Sequence, residues 1–252
     1  MIFYFSATGN SKQVAQAVAT ATNDRLLDIA ACINDYNCSF VLEEDEQIGF
    51  VVPTYFWGLP SIVVDFISNI SFSKYNGNYT FMVATYGTTC GNVHGHLKRL
   101  LKAKGITLNG AFCVKMVDIW TPMFDVSNTD RCKRITDRAI PIIEGVANQI
   151  AERVFGTFMK GTMPSPIASA YYATYGFQRR TSHFHVLDTC IGCGLCAKEC
   201  PSKAIAMDGE HPKWSVSHCV MCLRCLHHCP AFAIQYGKHT QRHGQFLNTN
   251  IK

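Results

Sequence analysis

The chain opens on an apolar run of strand formers, Met1 to Phe5, with no polar residue alternating through it. That is the pattern of a short parallel strand buried on both faces. A small, hydroxyl-rich loop follows, Ser6-Ala7-Thr8-Gly9-Asn10-Ser11-Lys12, and then a helical stripe of Val14, Val18 and Ala21. Further strands are predicted over Arg25 to Ala30, Gln47 to Tyr55, Tyr79 to Ala84 and Leu108 to Val117. The polar residues after Ala30 carry no helical pattern, so the second crossover is expected to be brief. Ile62 to Ile70 predicts a helix, and Val93, Leu97, Leu100 and Leu101 mark one face of another that ends at Gly105. The basic face of that helix, Lys98, Arg99, Lys102 and Lys104, reads as solvated. Ile135, Ala139, Ile142, Val146, Ile150 and Val154 predict a long helix, which Pro141 should kink or split. Strands alternating with helices indicate an α/β sheet.

A different grammar governs Cys190 to Pro230. It reads C-I-G-C-G-L-C-A-K-E-C-P, then eighteen residues, then C-V-M-C-L-R-C-L-H-H-C-P. Each half has the spacing C-x2-C-x2-C-x3-C-P of bacterial iron–sulfur ligands, in which the fourth Cys serves the other cluster. Cys190, Cys193, Cys196, Cys200, Pro201, Ala204 and Ile205 each recur 29 positions on, so one unit is used twice. Two [4Fe-4S] clusters are expected: one on Cys190, Cys193, Cys196 and Cys229, the other on Cys219, Cys222, Cys225 and Cys200. Zinc sites use close Cys pairs set far apart, a different pattern. The second half carries Arg224, His227 and His228 where the first has Gly192 and Gly194 nearby. Positive charge there is expected to give the second cluster a higher and more pH-sensitive potential. The segment resembles the bacterial two-cluster ferredoxins over about 55 residues.

The loop after the first strand has the geometry that makes an anion site, the alternative for this loop taken alone being an ordinary capped turn into a helix. Helix-start N–H groups point into it, the helix dipole favours a phosphate, and Ser6, Thr8 and Ser11 add hydroxyls while Gly9 allows close approach. It has neither the G-x-x-x-x-G-K-[ST] of a triphosphate loop nor a dinucleotide G-x-G-x-x-G, so NAD(P)H is not expected as the direct donor. It does resemble the S/T-x-T-G-N-[ST] loop of flavodoxins, which cradles the FMN phosphate. That resemblance implies the strand order 2-1-3-4-5, with the loops after strands 1, 3 and 4 meeting at the switch point. The second loop holds Pro53, Thr54, Tyr55, Phe56, Trp57 and Gly58; the third holds Thr85, Tyr86, Gly87, Gly91 and Asn92. Aromatics beside glycine suit stacking on a flavin ring, and Gly58 and Gly87 are candidates for its N5 edge. With Asn10 these residues form the expected FMN site.

Composition narrows the rest. At 252 residues and 48% hydrophobic the chain is long enough for two domains. The first residues carry no basic leader pattern and no run of 18 apolar residues occurs, so a soluble, cytoplasmic protein is expected. Of 13 Cys, the five outside the repeat (Cys32, Cys38, Cys90, Cys113, Cys132) read as scattered free thiols, suited to a reducing, low-oxygen cytosol. The net charge of +5 is mild, and no basic run interleaved with aromatics suggests nucleic acid.

As a whole the chain resembles the fused flavodoxin–ferredoxin proteins of anaerobic bacteria and archaea, on Pro53 to Pro60 and Thr85 to Gly87 as well as the cysteines. The expected division is 1–157 for an FMN domain, 158–182 for an aromatic-rich joint packed between domains, 183–236 for the cluster domain and 237–252 for a polar tail. The resemblance implies electron transfer with redox-protein partners. The alternative is a reductase in which FMN reduces a small organic molecule, fed by the clusters; no acid–base pair or nucleophile demands such a reaction.

Overall fold

A computed structural model describes residues 1–251. The chain begins with β1 (Ile2–Tyr4), α1 (Asn10–Thr22), β2 (Leu26–Asp28), α2 (Ile29–Asn34), β3 (Ser39–Val41), β4 (Ile48–Pro53), α3 (Ser61–Asn69) and β5 (Ser71–Ser73). It continues with β6 (Thr80–Tyr86), α4 (Val93–Lys102), β7 (Gly110–Lys115), α5 (Thr129–Ala151), β8 (Gly156–Thr157) and α6 (Ser165–Gln178). The main sheet runs β2-β1-β4-β6-β7-β8, parallel throughout. The first five are the flavodoxin-like order 2-1-3-4-5; β8 adds an edge strand the sequence did not announce.

Period-two alternation splits the apolar runs between two layers. Phe3, Phe50, Val52, Met82 and Ala84 face one core with Val63, Phe66 and Leu97 of the helices. Ile2, Val51, Phe81, Val83, Phe112 and Val114 face the other, against Val14 and Val18 of α1 and Ala139, Ile143, Val146 and Ile150 of α5. Both faces are covered, which is why the strands read as continuous apolar runs rather than alternating ones.

Three expectations need correction. The second crossover contains a helix, α2, six residues long and started by Asp28, whose carboxylate accepts from Ala30 N at 2.8 Å. α5 is one helix through Pro141, which lies on the exposed face, as does Asp137 one turn before it, whose carbonyl loses its helical partner. The buried stripe of α5 also runs through Ile143, leaving Ile142 exposed.

The cysteine segment carries β9 (Phe184–Val186), α7 (Leu195–Lys198), β10 (Ile205–Asp208), β11 (His211–Trp214), α8 (Arg224–His227) and β12 (Ile234–Tyr236), followed by α9 (Thr240–His243). β9 pairs with β12, and β10 with β11, both antiparallel. The 29-residue repeat is visible in the backbone: α7 recurs as α8, and Gly192, Gly194 and Lys203 share left-handed φ with Met221, Leu223 and Phe232. The segment read as a polar tail is fastened down. Gln245 donates to Leu226 O and Cys229 O, and Asn248 N donates to Thr8 O at 2.8 Å. Lys252 lies outside the described residues. Among the described residues no helix is long and apolar enough to cross a membrane.

Candidate functional site

The loop after β1 and the start of α1 close one end of a cavity of about 300 Å³ at the carboxyl edge of the sheet. Gly9, at φ +97°, turns the chain into the helix and has no side-chain cap, so the first N–H groups of α1 are left for a ligand. Ser6, Thr8, Asn10 and Ser11 are buried around it. Three of these side chains are engaged within the protein: Ser6 Oγ accepts from Gly9 N at 3.1 Å, Asn10 donates to Val117 O at 3.1 Å, and Ser11 Oγ lies 2.8 Å from Thr85 Oγ1. The Thr8 and Thr54 hydroxyls are buried against the cavity with no hydrogen-bond partner. Orphaned hydroxyls from two loops, in a cavity lined among the described residues by no Lys, Arg or His, fit the phosphate and sugar-alcohol oxygens of FMN.

The aromatic loop has a conformation that its sequence hides. Tyr55 and Gly58 exchange backbone hydrogen bonds of 2.9 and 2.8 Å, with Phe56 (φ +47°) and Trp57 (φ +63°) between them. Two left-handed central residues are ordinarily Asn-Gly, and bulky aromatics there store strain. The turn aims both rings at the cavity. Trp57 packs on Tyr171 of α6, with centroids 4.3 Å apart; Phe56 packs on Tyr175 and Trp120.

Of the residues expected to hold FMN, Ser6, Thr8, Asn10, Ser11, Pro53, Thr54, Tyr55, Phe56, Trp57, Thr85, Tyr86 and Gly87 line the cavity. Gly9, Gly58, Gly91 and Asn92 do not. Gly58 lies under Tyr172, where an added Cβ would come within 2.4 Å of the ring, and Gly91 under Trp57, where it would come within 2.1 Å. These two glycines make room for aromatic packing, and Asn92 N donates to Trp57 O at 2.9 Å. The sequence reading missed the loop after β7, which adds Asp118, Trp120, Met123 and Phe124, and missed Tyr171. The signal was available: D-I-W-T-P-M-F follows a strand at the same sheet edge as the other loops.

The eight cysteines of the repeat lie in two neighbouring places. Cys190, Cys193, Cys196 and Cys229 line a single small cavity with Pro230 and Gly194. Cys200, Cys219, Cys222 and Cys225 lie together: burial pushes the Cys222 thiol up to about 12, with Cys219 and Cys200 adding to it, and burial raises Cys225, with Cys222, Cys219, Cys200 and also Cys196 adding to it. Ala204 N donates to Cys200 Sγ and Ala233 N to Cys229 Sγ, each at 3.3 Å, a repeat-related pair of N–H···S bonds. Among the described residues no three His, Cys, Asp or Glu side chains are set to hold a single metal ion. Exposure differs between the groups. Cys193 is exposed, whereas Cys200, Cys219 and Cys222 are buried.

Cys222 also lines the cavity at the carboxyl edge of the sheet, between Met221 and Leu223. The cysteine segment is bolted to the sheet at that point. Arg224 donates to Ser6 O at 3.2 Å and pairs with Glu199 at 3.1 Å, while His228 Nε2 lies 3.0 Å from Ala7 O. His227 donates through Nε2 to Ile119 O at 3.0 Å and accepts from Phe246 N at Nδ1. Burial lowers His227 to about 4, and lowers His228 as well. His227 is buried and His228 partly buried, and the His228 Nδ1 also lies 3.3 Å from Glu199. Arg224 is offset by Glu199.

Residues 1–136, more than half of the chain, match the family model described as "Flavodoxin domain", and residues 183–230 match "4Fe-4S dicluster domain". An uncharacterized polyferredoxin-like protein of Methanocaldococcus jannaschii is 37% identical over 60 residues, covering 19% of this chain. This chain spans 36% of that relative's length. Among solved structures, two-electron reduced Megasphaera elsdenii flavodoxin is 19% identical at a TM-score of 0.34, covering 58% of this chain and 98% of its own. An FMN-dependent NADH-azoreductase of Bacillus anthracis in complex with FMN is 12% identical at 0.36, covering 60% and 98%.

Proposed function

We propose that this chain, which belongs to the flavodoxin domain family and carries a C-terminal 4Fe-4S dicluster domain, passes electrons between FMN and two [4Fe-4S] clusters and so couples one- and two-electron redox partners. When bound, the flavin supplies two-electron and the clusters one-electron chemistry. The single observation that carries the reading is the position of Cys222, in the wall of the cavity formed by the loops after β1, β4, β6 and β7.

The residues have separable tasks. The amide groups at the start of α1, with Ser6, Thr8 and Thr54, would hold the phosphate end. Phe56, Trp57, Tyr86 and Tyr171 would enclose the ring and exclude water. Cys200, Cys219, Cys222 and Cys225 would hold the flavin-side cluster, and Cys190, Cys193, Cys196 and Cys229 the outer one, where exposed Cys193 opens toward a one-electron protein partner. A volume of about 300 Å³ is at the low end for sites of drug-sized ligands, so FMN would leave little space for an organic substrate. The same reading divides the chain into an FMN part over 1–157, a joint over 158–182 and a cluster part over 183–236.

The test is anaerobic reconstitution of the full chain and of Cys222→Ser. The full chain should carry one FMN and about eight irons. Cys222→Ser should lose about half the iron, keep FMN, and lose fast reduction of FMN by a one-electron dye. A full chain without flavin or iron overturns the reading. So does a Cys222→Ser protein that loses no iron or still reduces FMN at the original rate.

A further inference from the structure

We infer that the Tyr55 hydroxyl donates a hydrogen bond to a sulfur of the flavin-side cluster and raises that cluster's potential. The inference rests on the reading that Cys200, Cys219, Cys222 and Cys225 hold a cluster. Tyr55 stands where two apolar cores meet, one containing Phe5 and Cys222, the other Tyr175, Cys200 and Cys219. Its ring lines the cavity, with its centroid 6.2 Å from that of Tyr175 and 6.5 Å from that of Phe5. Its hydroxyl is buried and has no hydrogen-bond partner. The neighbouring phenol of Tyr175 is already engaged, donating to Val220 O at 2.5 Å and accepting from Ser61 N at 3.3 Å. Burial raises the Tyr55 hydroxyl well above its ordinary range, and Cys222, Tyr175 and Cys219 add to the rise, which puts the hydroxyl beside two of the four sulfurs.

A buried phenol is costly to leave unpaired. Cluster sulfurs are acceptors, and hydrogen bonds to them help to set a cluster's potential. Such a bond is stronger when its acceptor carries more negative charge, so it favours the reduced form. The donor is fixed in place, because Tyr55 is held at the base of the aromatic turn by its two backbone bonds to Gly58. The 29-residue repeat gives each group of cysteines a backbone donor of its own, Ala204 N to Cys200 and Ala233 N to Cys229. Tyr55 lies outside that repeat. Among the described residues that line the cavity of Cys190, Cys193, Cys196 and Cys229, none bears a hydroxyl. The phenol therefore acts on one cluster and not on the other.

The test is an anaerobic redox titration of the reconstituted full chain, followed by electron paramagnetic resonance, for the parent, Tyr55→Phe and Tyr55→Met. Loss of the hydroxyl should shift the reduction equilibrium of one cluster about tenfold toward its oxidised form, about 59 mV for one electron, and leave the other cluster where it was. The potential that moves should be the one missing from Cys222→Ser. A role in packing alone would appear as lower iron content or a lower Tm, with both potentials unmoved. Unmoved potentials in whichever variant takes up iron overturn the inference alone. So does a shift confined to the FMN potential, or one in the cluster that Cys222→Ser retains. A parent chain that takes up no iron overturns the reading beneath it as well.

Discussion

Tyr175→Phe removes one oxygen atom from the joint between the two halves of the molecule. The Tyr175 hydroxyl donates to Val220 O at 2.5 Å and accepts from Ser61 N at 3.3 Å, so it ties α6 to the start of α3 and to the cysteine segment at once. The ring is buried, packed on Phe56 at 5.3 Å and on Tyr55 at 6.2 Å. Phenylalanine keeps those ring contacts and strands both backbone groups. Two lost hydrogen bonds, with at least one buried partner left unsatisfied, cost about 2–4 kcal/mol. For a chain of this length that lowers the Tm by roughly 4–16 °C. The assay is thermal melting of the reconstituted protein followed by circular dichroism, with amide hydrogen exchange to locate the loosening at α6 and Val220. Tyr171→Phe is the control: this residue is more exposed, and its substitution should stay within about 0.5 kcal/mol of the parent. A Tyr175→Phe melt within 1 °C of the parent, or equal effects at both tyrosines, would refute the assignment of Tyr175 as the tie.

Two further outcomes follow from contacts elsewhere. Deleting residues 245–252 removes the bonds of Gln245, Phe246 and Asn248 to Cys229 O, His227 and Thr8 O. FMN affinity should fall about tenfold, near 1.4 kcal/mol, while iron content holds; equal affinity by fluorescence titration would contradict a strap over the phosphate loop. His96, half-buried against Tyr172, has its pKa lowered to about 4 by burial and by the nearby Arg99. The unfolded chain protonates at the ordinary 6.5, so the contribution of this residue is complete above pH 6.5 and is lost as pH falls toward 4. Melts at pH 7 and 5 should converge in His96→Gln relative to the parent, and an undiminished difference would exclude His96 as a source.

Much of this was legible because it is local or periodic. Met1 to Phe5 reads as a strand because both faces of the sheet are covered, and the Ser6 to Ser11 loop reads as an anion site because a strand, a glycine and a helix start suffice to make one. The cysteine repeat is legible because its spacing recurs 29 positions on along one stretch of chain. Other features depended on neighbours distant in sequence. Gly58 and Gly91 look like ligand-facing glycines until Tyr172 and Trp57 are seen to occupy the space above them. Pro141 looks like a helix breaker until its exposed face is known.

The sequence by itself determined the two kinds of domain and the cysteine repeat, because these follow from hydrophobic period and from spacing along one stretch of chain, while the order of the first five strands came through the resemblance of the loop motifs. Only the tertiary structure decided that Cys222 lines the cavity at the carboxyl edge of the sheet while Cys193 is exposed, that Phe56 and Trp57 sit in a strained left-handed turn, that His227 is a buried bolt and that Asp118 packs over Gly87. Each of those is a contact between segments with no shared periodicity, settled by how the cysteine segment docks on the carboxyl edge of the sheet.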